Sequence, residues 1–408
     1  MKFFYSLLNL PPTNLLAFAL VIPTYITFFI GKEPLMQGLA FSLYLIPLGV
    51  AVVGKRMTLP SFKLSAFWAI FLCAWIVPSL INAYGSHLES DLVRLPVLFF
   101  HVTILTALVF ILHDFLKNDP EKQLRTLLGM MFWVILPMAL LITLKTLYLV
   151  GYNPSIRPSP FGIQPNVAGE FMLVALLCAT QIRQAGVKWL AYALTIGTCY
   201  LLQTRGGLLA SYLALIVMYG YPCLRNNLNA KASWLGLGSA FIIIATFPSE
   251  FTVLLQKLTM FDIRSGLSHR EGMWLLGLDS VIAHPWTGIG FWVNPMGYSI
   301  PEHFPFYATL NYPEWVIHNA FIRIACENGL ALTVIIIGTG LGATIKLHQS
   351  KNALGLALVL AVTFYLCFAT RHLTLNLMNV MLYATLLMAW MPTHSLVRTH
   401  AKRTRKKA

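Results

Sequence analysis

Apolar runs long enough to cross a bilayer follow one another along the chain, separated by short punctuations of glycine, proline and charge. A helix needs about 20 predominantly apolar residues to span the hydrocarbon. By that measure the pattern predicts twelve transmembrane helices, near 13–31, 35–54, 64–83, 94–115, 126–150, 165–182, 189–203, 206–223, 232–248, 329–345, 353–370 and 374–391. The seventh is short and closely followed by the eighth, so that pair reads either as a hairpin or as a re-entrant element. The first run, preceded only by Lys2 and followed by no A-x-A-like site, reads as a retained helix. The expected fold class is an all-α polytopic membrane protein, one integral domain over residues 1–408.

One connection differs from the rest. Residues 249–315, between the ninth and tenth runs, are too long for a simple connector, and loops are where function concentrates. Within it, Arg270 to Ala283 has helical spacing that predicts Trp274, Leu278, Val281 and Ile282 on one face, as for an amphipathic helix on a membrane surface. His284-Pro285 ends that helix and Gly288-Ile289-Gly290 makes a tight turn.

Composition fits lipid as the solvent: 57% of residues are hydrophobic, 11% are charged and the mean hydropathy is +0.70. The formal charge of +15 is therefore no nucleic-acid signal. With the N-terminus placed in the cytoplasm, nineteen of the 29 basic residues fall on cytoplasmic segments and eight on the opposite face. That asymmetry obeys the positive-inside rule and predicts both termini inside. The six cysteines lie in or beside apolar runs with no CxxC pair, which predicts helix-packing residues rather than disulfides or a metal site.

Candidate chemistry starts from the basic residues that break this asymmetry. Arg205 lies in QTRGG between two apolar runs; it either snorkels to the interface or forms a phosphate fork beside Gly206 and Gly207. Arg270 opens the loop helix, as a surface charge or a second anion contact. In YPEWVIHNAFIRIACENGLAL, Pro313 suits a first helical position, and the spacing of Glu314 and His318 puts both on one helix face beside Asn319. A histidine there is structural unless a phosphate clamp is near, in which case it is a base. HExxH, a P-loop, and the in-span carboxylates or broken paired halves of a coupled transporter are not evident; Glu170, with Lys145 as counter-ion, and Glu327 come nearest. Second-line candidates are Arg94, Arg157, Arg371 and Trp274, which would line a ligand path or anchor the interface.

In order, Asn166-Val167-Ala168-Gly169, Thr204-Arg205-Gly206-Gly207, Arg270–Trp274–His284-Pro285–Gly288–Gly290, and His318-Asn319 with Gly329 resemble the motif series of the O-antigen ligase superfamily. That group includes lipopolysaccharide O-antigen ligases and polysaccharide polymerases. The resemblance covers residues 160–335, and the span layout with one long periplasmic loop agrees with it. The resemblance implies a metal-independent, cofactor-free, inverting glycosyltransferase in a bacterial inner membrane, with its active site facing the periplasm. Its donor would be undecaprenyl-diphosphate-linked glycan and its acceptor lipid A–core. Arg205 and Arg270 would hold the diphosphate, and His318 would take the acceptor proton. One motif position departs from the ligase pattern: Leu332 stands where Gly, Thr or Tyr is usual, with Thr333 one step later. That leaves ligase and polymerase both open, with a lipid-linked glycan transporter as a remoter reading.

Overall fold

The computed structural model describes residues 16–17, 20–22, 62–85, 89–152, 158–222, 270–290, 317, 319–367 and 377–391. Among the described residues all regular structure is helical. In chain order the helices are α1 (Phe62–Gly85), α2 (Glu89–Leu116), α3 (Pro120–Tyr152), α4 (Pro165–Ala179), α5 (Ala185–Leu201), α6 (Arg205–Leu215, continued by a π-helical turn over Ile216–Gly220), α7 (Arg270–Ala283), α8 (Ala320–Asn328), α9 (Leu330–Gln349), α10 (Ala353–Leu366) and α11 (Leu377–Trp390).

Four described stretches are long and apolar enough to cross a membrane: Leu64–Asn82, Leu98–Leu116, Pro120–Tyr152 and Leu330–Gln349. The expected spans near 165–182, 189–203, 206–223, 353–370 and 374–391 appear as the shorter helices α4, α5, α6, α10 and α11. Most of the predicted runs at 13–31, 35–54 and 232–248 lies outside the described residues.

The bundle is built around α4. Every residue from Ala168 to Ala179 is buried, Glu170 included, in a helix otherwise apolar on all sides. It packs against α3, α5 and α6, while α6 packs on α10 and α10 on α11. Phe132 and Ile135 of α3, Leu105 of α2 and Leu358 of α10 join it in one apolar core. On the outside, α9 bares Val334, Leu341 and Ile345, the side chains that a spanning helix presents to lipid.

Two hairpins, α5–α6 and α9–α10, close with the same three-residue turn. In the first, Gln203 takes a left-handed φ of 54°, Thr204 N–H reaches back to Cys199 O at 3.1 Å and Gln203 N–H to Tyr200 O at 2.9 Å. In the second, Lys351 has φ 62°, Asn352 N–H bonds Leu347 O at 2.9 Å and Lys351 N–H bonds His348 O at 3.0 Å. Both are Schellman closures, with a side-chain-bearing residue where glycine is usual. They differ at the next helix. Asn352 caps α10 by accepting from Gly355 N–H at 2.9 Å, whereas Thr204 turns its hydroxyl back onto Cys199 O at 3.1 Å and makes no cap bond to α6.

The two ends of the bundle differ in chemistry. One end gathers Lys117, Lys122, Arg125, Arg183, Lys188, Lys346 and Lys351, at the α2–α3, α4–α5 and α9–α10 connections. There Arg125 bonds Gln181 at 3.1 Å, Tyr221 bonds His348, and the Lys346 ammonium lies 3.8 Å from the Trp390 ring centroid. Lys145 belongs to neither end's network; it sits over the Tyr148 ring at 4.7 Å. The opposite end holds the motif residues.

Candidate functional site

The first junction brings together two motifs that lie far apart in sequence. Gly169, in the second turn of α4, backs directly onto the turn that starts α6: a Cβ at Gly169 would lie 2.6 Å from Thr204 Oγ1 and 2.9 Å from Thr204 Cβ. Gly207 lies on the same contact, where a Cβ would meet Gly169 O at 3.2 Å. Two backbones thus touch with almost nothing between them, which only glycine permits. Tyr365, near the end of α10, donates its hydroxyl to Asn166 O at 2.8 Å and fixes the head of α4 from the other side.

This packing sets the position of Arg205. It is the first residue of α6, after a turn held from behind by Gly169 and by the Thr204–Cys199 bonds. The first N–H groups of any helix have no intrahelical partner, and here the Thr204 side chain does not cap them. A helix head with an arginine in its first position and two glycines after it suits an anion with several oxygens.

The second junction seats α7 against the bundle. Pro285 to Gly290 lie along the α8–α9 break, joined by main-chain bonds: Ile289 N–H to Cys326 O at 2.8 Å, Gly290 N–H to Glu327 O at 3.1 Å and Leu330 N–H to Pro285 O at 2.8 Å. Gly288 has φ 64°, and a Cβ there would lie 2.5 Å from the Glu327 carbonyl carbon. Gly329 has φ 82°, and its Cβ would lie 2.3 Å from Trp286 O. From α1, the Asn82 amide donates to Thr287 O at 2.8 Å, and Ser79 faces Asn328 at 3.5 Å. Three stretches of chain are riveted at one point.

α8 lies between the main core and a second, smaller one. Ala320 and Ile324 face the main core, while Ala325 and Cys326 join a second apolar cluster with Met273, Leu276, Val281, Ile289 and Ile317. Ile317 and Ile322 fill the space over Gly277, where a Cβ would lie 2.8 Å and 2.7 Å from them. The helix that begins at Arg270 is therefore packed against Ile317 and Ile322.

Of the segment expected to be helical from Pro313, the structure describes Ile317 and the residues from Asn319 onward. Ile317 is not helical, and Asn319 is extended at φ −154° and ψ 111°. Asn319 caps α8, its Oδ1 accepting from Phe321 N–H at 3.0 Å and Ile322 N–H at 3.1 Å. Asn319 is thus a cap rather than a residue within a helix, and the expected pairing of Glu314 with His318 on one helix face lies outside the described residues. Capping also explains the asparagine, since it satisfies two of the donors that a helix start leaves open. His318, Glu314, Arg157 and Arg371 lie outside the described residues. Arg94 is in the second turn of α2 and Arg270 is the first residue of α7. Trp274 packs half-buried against the second cluster rather than standing clear of it.

The expected single face of α7 is also revised. Val281 points inward and Trp274 is half-buried, but Leu278 and Ile282 point outward with Leu275. The inward face is built on the small residues Gly277 and Ser280 beside Met273 and Leu276.

Sequence reasoning missed Asn82, Tyr365 and Arg323. Lone polar groups late in apolar runs are the signal that marks the first two. Arg323 Nε donates to Glu327 Oε1 at 2.7 Å, and the Glu327 carboxylate is almost fully enclosed. The cation precedes the anion along α8, the less favourable order for a helix, so the pair serves the joint more than the helix. Beside it, burial and the Glu327 charge push the Cys326 thiol up to about 12. Cys73, Cys178, Cys199 and Cys367 are free thiols too, in keeping with packing roles.

Residues 190–337 match the family described as O-antigen ligase. No curated protein matches the chain. The matched stretch contains Arg205, Arg270, His318 and both halves of the riveted joint.

Proposed function

We propose that this chain, whose residues 190–337 match the O-antigen ligase family, transfers a glycan from undecaprenyl diphosphate to the outer sugar of lipid A–core. The observation that carries this reading is the heading of α6 and α7 by arginine, Arg205 and Arg270, within the matched segment. In this reading each helix head offers its own N–H groups and its arginine adds a guanidinium, the chemistry that suits a diphosphate.

In this reading the acceptor hydroxyl oxygen attacks the anomeric carbon as the carbon–oxygen bond to diphosphate breaks. The hydroxyl proton passes to His318, and the departing charge settles on the two arginines. Attack opposite the leaving group inverts the anomeric centre. Diphosphate leaves readily, so alignment and charge stabilisation supply the catalysis, without a metal or cofactor. Losing one such charged contact costs about 2.7–4 kcal/mol of barrier by analogy with an oxyanion donor. The gathering of basic residues at the far end of the bundle supports a bacterial inner-membrane chain with cytoplasmic termini and a periplasmic site. Arg94, Arg157, Arg371 and Trp274 remain candidates for the glycan path.

A second reading, a polysaccharide polymerase using another lipid-linked glycan as acceptor, is favoured by Leu332. That residue is fully buried where the ligase pattern has Gly, Thr or Tyr. The test is a deletion strain complemented with His318→Ala or His318→Gln at matched membrane levels. Loss of glycan-bearing lipopolysaccharide on gels, with lipid-linked glycan accumulating, is the expected result. Normal transfer by both variants removes His318 as the base. Single repeats still joined to core indicate the polymerase.

A further inference from the structure

α7 carries two apolar faces, and the bundle accounts for only one. Met273, Leu276 and Val281 pack inward on α8. On the other side Leu275, Leu278 and Ile282 are 52%, 44% and 79% exposed, and Trp286, just beyond the helix, is 73% exposed. Their spacing keeps one line along the helix, with Asp279 half-exposed at its edge. A helix resting in water on a protein surface has a polar outer face; from Leu275 to Ile282 this one bares three large apolar side chains.

What covers the stripe follows from its neighbour. Leu330 N–H is bonded to Pro285 O at 2.8 Å, which puts Trp286 beside the head of α9. From there α9 bares Leu330, Val334, Ile337, Leu341 and Ile345, the outer face of a stretch with the length and composition of a membrane span. The two exposed lines meet at the riveted joint. An apolar line that continues a lipid-facing one is solvated by the same lipid. We propose that α7 is sunk into the edge of the bilayer by its Leu275–Leu278–Ile282–Trp286 face, with Asp279 turned toward the headgroups.

The partner is thus the acyl and glycerol region of the phospholipids. The consequence is a fixed height for Arg270: it heads a helix pinned to the bundle on one face and held by lipid on the other. This inference does not depend on glycan transfer, and its test needs no turnover.

The experiment compares the intact protein with Trp286→Phe, in phosphatidylcholine nanodiscs with and without bromine on the acyl chains. The difference between the two proteins' emission isolates Trp286. It is expected to lose about half its intensity or more in brominated lipid, and to resist aqueous iodide, as an interfacial side chain does. A second protein, Trp286→Phe with Ile282→Trp, moves the probe onto α7 itself and is expected to behave alike. Quenching by iodide alone overturns the proposal in favour of a water-facing helix. Quenching by neither agent overturns it in favour of a protein cover, such as a second copy of the chain.

Discussion

Replacing Gly329 by alanine introduces one methyl group at the most crowded of the described glycines. The residue sits at φ 82° and ψ 175°, a region that only glycine adopts readily, and holding another residue there costs about 1–3 kcal/mol. The new Cβ would also lie 2.3 Å from Trp286 O and 3.1 Å from Pro285 O. Neither atom can swing aside as a side-chain tip would. Both belong to a backbone held by the Leu330–Pro285 and Ile289–Cys326 hydrogen bonds. Forcing the strands apart adds about 1–3 kcal/mol, as overpacking does. The sum is roughly 2–6 kcal/mol, and at about 2 °C per kcal/mol for a chain of this size the melting temperature falls by roughly 4–12 °C. Gly338→Ala is the control: the same methyl, one helix interior later, meets nothing within 4 Å. There alanine is worth up to about 1 kcal/mol in helix propensity. Thermal melts of both variants in nanodiscs, monitored by intrinsic fluorescence, make the comparison. If Gly329→Ala melts with the wild type, the backbone junction is not as tight as described and the reasoning is wrong.

Further outcomes follow from other contacts. Gly169→Ala should displace the Thr204–Arg205 turn and lower glycan transfer at least tenfold, with Thr204→Gly in the same chain restoring part of it; a double-mutant cycle should show coupling of about 1 kcal/mol or more. Asn352→Ala removes the α10 cap and should cost about 1 kcal/mol in melting experiments, whereas Thr204→Ala removes no cap and should cost α6 less. Cys326, its thiol held neutral up to about pH 12 by burial, should resist iodoacetamide at pH 8.5 in the folded protein; alkylation at that pH, read by mass spectrometry, contradicts the enclosed joint.

Much of the helical frame was legible because apolar runs and turn residues mark it. The run at 64–83 became Phe62–Gly85, and Arg270 to Ala283 was found at its full extent. α2 starts at Glu89, before the expected 94, because Glu89, Asp91 and Arg94 interrupt the apolar run without interrupting the helix. The pair at 189–203 and 206–223 resolves as a hairpin, closed by a left-handed Gln203 that nothing in its side chain announces.

Contacts were harder to read than elements. NVAG and TRGG were both noted, but no spacing rule says that Gly169 and Gly207 meet across Thr204. The outward face of α7 was misjudged because hydrophobicity undervalues Gly277 and Ser280, and small residues are what let a helix lie close to its partner. The helix start at Asn319 was not legible, because an asparagine that caps and one that merely lies in a helix look alike in sequence. Arg205 and Arg270 were singled out from charge placement and again by the motif series, and each is the first described residue of its helix.

The rivet at Gly288 and Gly329 has a consequence for the side chains around it. Its two edges, Gly290 and Glu327, are tied to each other by a main-chain bond of 3.1 Å, and the Asn82 amide closes on Thr287 O beside them. Bonds between backbone atoms do not read side-chain identity, so exchanges at Ile289 or Cys326 that keep volume leave this seam in register, whereas a methyl group at either glycine does not.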